Sequence, residues 1–163
     1  MPRTVLLREG LAAAAVLASW AAPAMAQAPA APPMCQGEPS KTWVNISVAG
    51  VHSSDGLVAV SLYADDQSRF LAHHGAIFTG RFPAHQGITQ TCMFVPRPGV
   101  YAFATYHDEN GNKKLDRALT GLPTEGFGFS NNPETFMGIP AFTSVRIALP
   151  KTNLGATIRL RYP

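Results

Sequence analysis

About seven short runs of alternating apolar and polar residues, separated by Gly- and Pro-rich turns, dominate this chain. Successive side chains of a strand leave opposite faces, so alternation at period two is the pattern of a half-buried strand. Trp43 to Ala49 places Val44, Ile46 and Val48 on one face, and Leu57 to Tyr63 does the same with Val58, Val60 and Leu62. Ser53-Ser54-Asp55-Gly56 between them has hairpin chemistry. Ile77 to Pro83 is shorter, and Ile88 to Val95 sets Ile88, Gln90, Cys92 and Phe94 against Met93 and Val95. Pro96-Arg97-Pro98-Gly99 marks a turn. Val100 to His107 is apolar and aromatic on both faces, as a central strand requires. Ser144 to Leu149 (Val145, Ile147, Leu149) and Ala156 to Tyr162 (Ile158, Leu160, Tyr162) complete the series. Helical periodicity is nearly absent, with Asp66 to His73 long enough for a single turn. The pattern predicts an all-β fold, an antiparallel β-sandwich of immunoglobulin-like or transthyretin-like type, with a closed barrel as the alternative.

The N-terminal residues follow a different logic. Arg3 and Arg8 precede an apolar, Ala-rich stretch from Leu11 to Ala22, and Ala24-Met25-Ala26 is a small-residue cleavage pattern before Gln27. Residues 1–26 are therefore expected to be a Sec-type signal peptide cleaved after Ala26, which places the mature protein in the periplasm or outside the cell. The alternative is an N-terminal anchoring helix. Arg3 and Arg8 are not adjacent and no Cys stands at the cleavage point, so neither a twin-arginine signal nor a lipid anchor is expected. Residues 27–40 form a Pro/Ala-rich flexible leader, and residues 41–163 the sandwich. No later segment has the length and apolarity of a membrane-spanning helix.

Charge narrows the partners. Only 14% of the 163 residues are charged and the formal net charge is +3, with no basic run. Losing Arg3, Arg8 and Glu9 with the leader turns +3 into +2. No phosphate-binding stripe results, which argues against nucleic acid. Cys35 and Cys92 are the two cysteines, and an even count in an exported chain favours a disulfide between them over two buried thiols.

The interval from Asp108 to Phe142 is too long for a simple connection and marks either a functional or a ligand-stabilised loop. It opens Asp108-Glu109-Asn110-Gly111-Asn112-Lys113-Lys114-Leu115-Asp116. Counted from Asp108, oxygen-bearing side chains fall at positions one, three, five and nine: Asp108, Asn110, Asn112 and Asp116. The Lys114 carbonyl stands at position seven. Calcium takes six to eight hard oxygens, and alternate residues of a tight turn supply them. Position six is Lys113 instead of Gly, and position twelve is Leu119 instead of an acid; Glu125 is the candidate to reach back. Any Ca2+ site is expected to be weak. The alternative is a metal-free turn in which Asn and Asp side chains cap backbone groups.

The second half, Gly121 to Asn132, carries Gly126 and Gly128, suited to positive φ or close backbone approach. Phe127, Phe129, Phe136 and Phe142 supply an apolar anchor, either for a self-packed loop or for a ligand or partner site that includes Ser130 and Asn131. The run YAFATYHDENGNKKLDRALTGLPTEGFGFSNN resembles the hallmark stretch of a bacterial exported family catalogued as domain of unknown function 2141. Its pattern falls on Gly99, Tyr101 and Ala102, then His107 through Asp116, then Gly121 through Asn132, with the flanking strands from Trp43 to Tyr162. Lys113 departs from the family's usual Gly. The resemblance implies a β-sandwich and export, and no established activity. The DENGN run also resembles, more weakly, calcium loops in β-sandwich repeats of bacterial surface adhesins.

Enzyme readings find little support. The five histidines, His52, His73, His74, His85 and His107, form no HExxH or zinc-spaced cluster. Ser130 lacks a GxSxG setting. No catalytic set is assigned. The readings that stand are an exported binding or interaction module for an unidentified protein or small molecule, a calcium-stabilised structural domain, and, least supported, a small hydrolase using His107, Asp108 or Glu125.

Overall fold

The computed structural model describes residues 30–163. The expected signal peptide, its cleavage after Ala26 and the first leader residues lie outside the described residues.

Eight strands among these residues build two stacked sheets. They are β1 (Thr42–Val51), β2 (Leu57–Ala64), β3 (Phe78–Pro83), β4 (Gly87–Val95), β5 (Gly99–Asp108), β6 (Phe127–Phe129), β7 (Arg146–Leu149) and β8 (Leu154–Arg159). One sheet runs β4-β1-β8; the other runs β3-β2-β5, with β6 and β7 both on the far edge of β5. Every pairing is antiparallel except β1 with β8, which is parallel. The all-β sandwich read from the alternation is therefore present. The eighth strand is β6, three residues inside the long interval and too short for a periodic signal. Ser144 and Val145 belong to a helical turn (α1, Phe142–Val145), so β7 starts at Arg146. Asp66 to His74 is a chain of turns instead of a helix.

Val44, Ile46 and Val48 of β1 face Val58, Val60 and Leu62 of β2, and all six are fully buried. Phe103, Met93 and Ile158 close the same core. At about 25 cal/mol per Å2 of apolar area removed from water, this layer is the main stabilising term. A second, smaller core lies on the outer face of the β2–β5 sheet. Tyr63, Ala102, Phe129 and Val145 are buried there, packed by Phe70 and Phe142. Strand β5 thus reads apolar on both faces because it carries a core on each.

Sheet edges left open invite pairing with other chains. Here side-chain amides cover them. Gln36 pairs its backbone with β4 (Gln36 N–H to Cys92 O, 2.9 Å) while its side chain pairs with β3. Its Nε2 donates to Arg81 O at 2.7 Å and its Oε1 accepts Arg81 N–H at 2.9 Å. The expected Cys35–Cys92 disulfide is present beside it and pins this arm across the seam between the sheets. Asn132 treats β8 the same way, donating to Thr157 O at 2.9 Å and accepting Arg159 N–H at 2.6 Å.

Candidate functional site: the outer face beneath the long loop

Strand β5 sends alternate side chains to opposite faces, so His107 and Asp108 part company. His107 points into the sandwich and is fully buried. Its Nε2 donates to Asp55 O (2.8 Å), which leaves Nδ1 to accept the Tyr162 hydroxyl (2.7 Å). Tyr162 Oη in turn accepts His52 N–H at 3.0 Å. Burial pushes the Tyr162 hydroxyl above its ordinary range, which keeps it neutral and able to donate. The two nitrogens of His107 thus tie β5 to the β1–β2 turn and to the C-terminal segment.

Asp108 points to the outer face and is fully buried too. Its Oδ2 accepts Lys113 N–H at 2.8 Å, while Oδ1 has no partner. Gly111 and Lys113 take positive φ (72° and 66°), turning the chain back over the carboxylate. Glycine adopts that conformation freely; lysine does so against its Cβ. Asn110 Oδ1 accepts Asn112 N–H (2.9 Å) and Asn112 Oδ1 accepts Lys114 N–H (2.8 Å). Their amide groups donate to Asp116, Asn110 to Oδ2 at 2.7 Å and Asn112 to Oδ1 at 2.8 Å.

Glu125 does reach back. It is buried, and it clamps both ends of the loop: Oε1 accepts Glu109 N–H (3.2 Å) and Oε2 accepts Asp116 N–H (3.0 Å). Burial pushes its carboxyl above the ordinary range, the two N–H donors pull it back, and the charges of Asp116 and Asp108 push it up again. Among the described residues no three His, Cys, Asp or Glu side chains form a ready-made metal cluster.

Beyond Glu125 the chain joins the free edge of β5 as β6. Gly126 and Gly128 do so by close approach, not by positive φ. A Cβ on Gly128 would stand 2.5 Å from Arg159 O, and one on Gly126 would strike the Tyr162 ring. Strand β6 covers Ala104 to Tyr106 of β5, and β7 covers Gly99 to Ala102, leaving Phe103 between them. Ser130 fills that gap. Its N–H donates to Phe103 O and its Oγ accepts Phe103 N–H, each at 3.0 Å, while the hydroxyl proton goes to Val145 O. Asn131 braces the neighbouring turn through Ser144 O (3.1 Å) and Arg146 O (2.7 Å). Asn131 and Asn132 both take positive φ (64° and 51°), which Asn tolerates better than most residues. The hydroxyl of Ser130 and the amide nitrogen of Asn131 are thus engaged by backbone groups, and Ser130 is 27 residues from Phe103 in sequence but nowhere joined to His107 or Asp108 by a hydrogen bond.

Phe127 and Phe129 instead line a cleft of about 370 Å3 between the long loop and the turns after β2. Tyr63 and Tyr106 form its floor, Leu71 and Ile139 its mouth, and Arg117 stands at its side. Burial pushes both tyrosine hydroxyls above their ordinary range. Leu71 and Ile139 are exposed, as are Phe136 and Met137 on the tight turn that carries Ile139. The sequence singled out the phenylalanines but not Tyr63, Tyr106 or Arg117, whose shared face depends on strand register (Tyr106 beside both Ala59 and Phe127).

Among the described residues no helix is long and apolar enough to cross a membrane. No curated protein and no solved structure matches the chain. A family model described as "Uncharacterized protein conserved in bacteria (DUF2141)" matches residues 46–156, from within β1 to the first half of β8. That span holds the Asp108–Asp116 loop, the Glu125 clamp and the Ser130-Asn131-Asn132 brace, and the chain belongs to the DUF2141 family.

Proposed function

We propose that the protein is an exported binding module whose outer-face cleft takes one small amphipathic molecule, an apolar or aromatic body with an anionic group set toward Arg117. The cleft carries the reading: aromatic side chains at the edge of the outer core, with Phe127 and Tyr106 left part-exposed, line it together with the Arg117 cation. Its volume falls within the range of small-molecule pockets, about 300 to 1,000 Å3, and its make-up matches theirs, mostly apolar with a few polar groups. Exposed Leu71 and Ile139 in its lining, with exposed Phe136 and Met137 on the same turn as Ile139, add apolar surface of the kind that marks interaction sites. The disulfide supports an oxidising compartment, in line with the signal-like N-terminus. The hydrolase reading is weaker, since His107 and Asp108 face opposite ways and Ser130 serves the backbone.

The test is a titration with 1-anilinonaphthalene-8-sulfonate, which has an aromatic body and one anionic group. One site per folded chain is expected, weakened at least tenfold by Phe127→Ala and by Arg117→Ala. Ile88→Ala, an exposed apolar change on β4, should leave it unaltered. Binding that ignores Phe127 and Arg117 would sink the proposal.

A further inference from the structure

Charges taken out of water are normally paired with an opposite charge or hold a metal, because an isolated one is costly. Asp108 meets neither condition. It is fully buried, one carboxylate oxygen accepts a backbone N–H, and the other has no partner. Glu125 is only 7% exposed and shares the same loop interior. Asp116 makes a third carboxylate. Among the described residues no Lys, Arg or His side chain lies within ion-pairing distance of any of the three. Lys113 and Lys114 are exposed and contribute only main-chain N–H groups. Two buried carboxylates and a third beside them, with no counter-charge, leave a positive group missing.

The remaining loop side chains are neutral oxygen donors. We infer that the loop binds one divalent cation of the calcium class, anchored by the free Oδ1 of Asp108. Glu125 and Asp116 are the other charged ligands, and the Asn110 and Asn112 side-chain oxygens and the Lys114 carbonyl are the neutral ones. Calcium fits because it accepts six to eight oxygens in a flexible arrangement, whereas magnesium demands a tight octahedron. Without the ion, the Asn110 and Asn112 amides lie on both oxygens of Asp116. Binding turns that carboxylate from the amides to the ion. No acid stands at Leu119, so the affinity belongs to the weak extracellular range, about 0.1 to 1 mM. This inference does not depend on the cleft: a loop that binds calcium beside an empty cleft would uphold one and sink the other.

The experiment uses the mature chain, wild type and Asp108→Asn. Asn keeps an oxygen for Lys113 N–H but removes the charge. Thermal melts are recorded in chelator, in calcium and in magnesium, with calorimetric titration of calcium alone. At ten times Kd, calcium should raise the wild-type midpoint by about 5 °C. Magnesium should raise it far less, and Asp108→Asn should abolish the shift. In chelator, Asp108→Asn should be at least as stable as wild type, because it removes an unpaired buried charge. Wild-type melts that superimpose in calcium and chelator, with no heat of binding, would overturn the inference. So would equal shifts in calcium and magnesium, or an Asp108→Asn loss of the same size with and without calcium.

Discussion

Replacing Ser130 with Ala removes one oxygen and strands two backbone groups. Phe103 N–H loses its acceptor and Val145 C=O loses its donor, at a place where Ser130 is 1% exposed and Phe103 and Val145 are fully buried. Each buried polar group left unpaired costs about 1 to 3 kcal/mol. The Ser130 N–H bond to Phe103 O survives the change, since it belongs to the backbone. The expected loss for the two groups is therefore about 2 to 6 kcal/mol, a midpoint drop of roughly 10 °C or more for a domain of this size. Urea unfolding measures it directly, with the slope unchanged because the surface exposed on unfolding is the same. Ser144→Ala is the control: its hydroxyl bonds only the nearby Ala141 O, and its loss should stay within about 0.5 kcal/mol. Ligand affinity per folded molecule should not change in Ser130→Ala. A stability loss no larger than that of Ser144→Ala would refute the view that Ser130 completes the β5 ladder.

Reducing the Cys35–Cys92 bridge, 57 residues apart, should cost about 4 kcal/mol by the chain-entropy relation, read as a lower urea midpoint in dithiothreitol. Asn132→Ala should free the long loop from β8 and cost about 1 to 2 kcal/mol, with faster amide exchange at Arg159. Arg146 holds the Asp65 carboxyl below its ordinary range through a two-bond ion pair of 2.6 Å each. The stability it contributes is present above the ordinary Asp range and is lost as pH falls through the lowered value. Asp65→Asn should therefore be slightly less stable than wild type at neutral pH and equal to it in strong acid. The gap should shrink in high salt, because the pair is partly exposed.

Strands with one buried face were legible in the sequence. Val44-Ile46-Val48 and Val58-Val60-Leu62 alternate without interruption, and alternation fixes both the element and its buried side. Strand β6 was not, because three residues cannot show a period. Its place is set by Gly128 lying against β8 and by Ser130 at the break between β6 and β7. The helical turn at Phe142–Val145 was hidden for a related reason: Val145 is buried by the outer core, which imitates the start of an alternating strand. Spacing did find the oxygen-rich turn, since it is local, whereas it could only nominate Glu125, whose reach rests on its hydrogen bonds to Glu109 N–H and Asp116 N–H. It missed Tyr106 and Arg117, which meet Phe127 only through pairing across β5 and the fold-back of the loop. Ser130 and Asn131 attract a ligand reading in sequence because polar residues beside aromatics are common in sites. Their hydrogen bonds run to backbone groups of β5, α1 and β7, contacts that no linear spacing encodes.

The outer face beneath the long loop is the centre of this account, and amide and methyl chemical-shift mapping with 1-anilinonaphthalene-8-sulfonate tests it most directly. The cleft reading predicts shifts confined to residues around Tyr63, Tyr106, Leu115, Arg117, Phe127 and Ile139. The sandwich also has a hollow of about 570 Å3 beneath the N-terminal arm, near Gly37, Phe94 and Pro96. Shifts gathered there, with the Phe127 and Ile139 signals unmoved, would contradict the account.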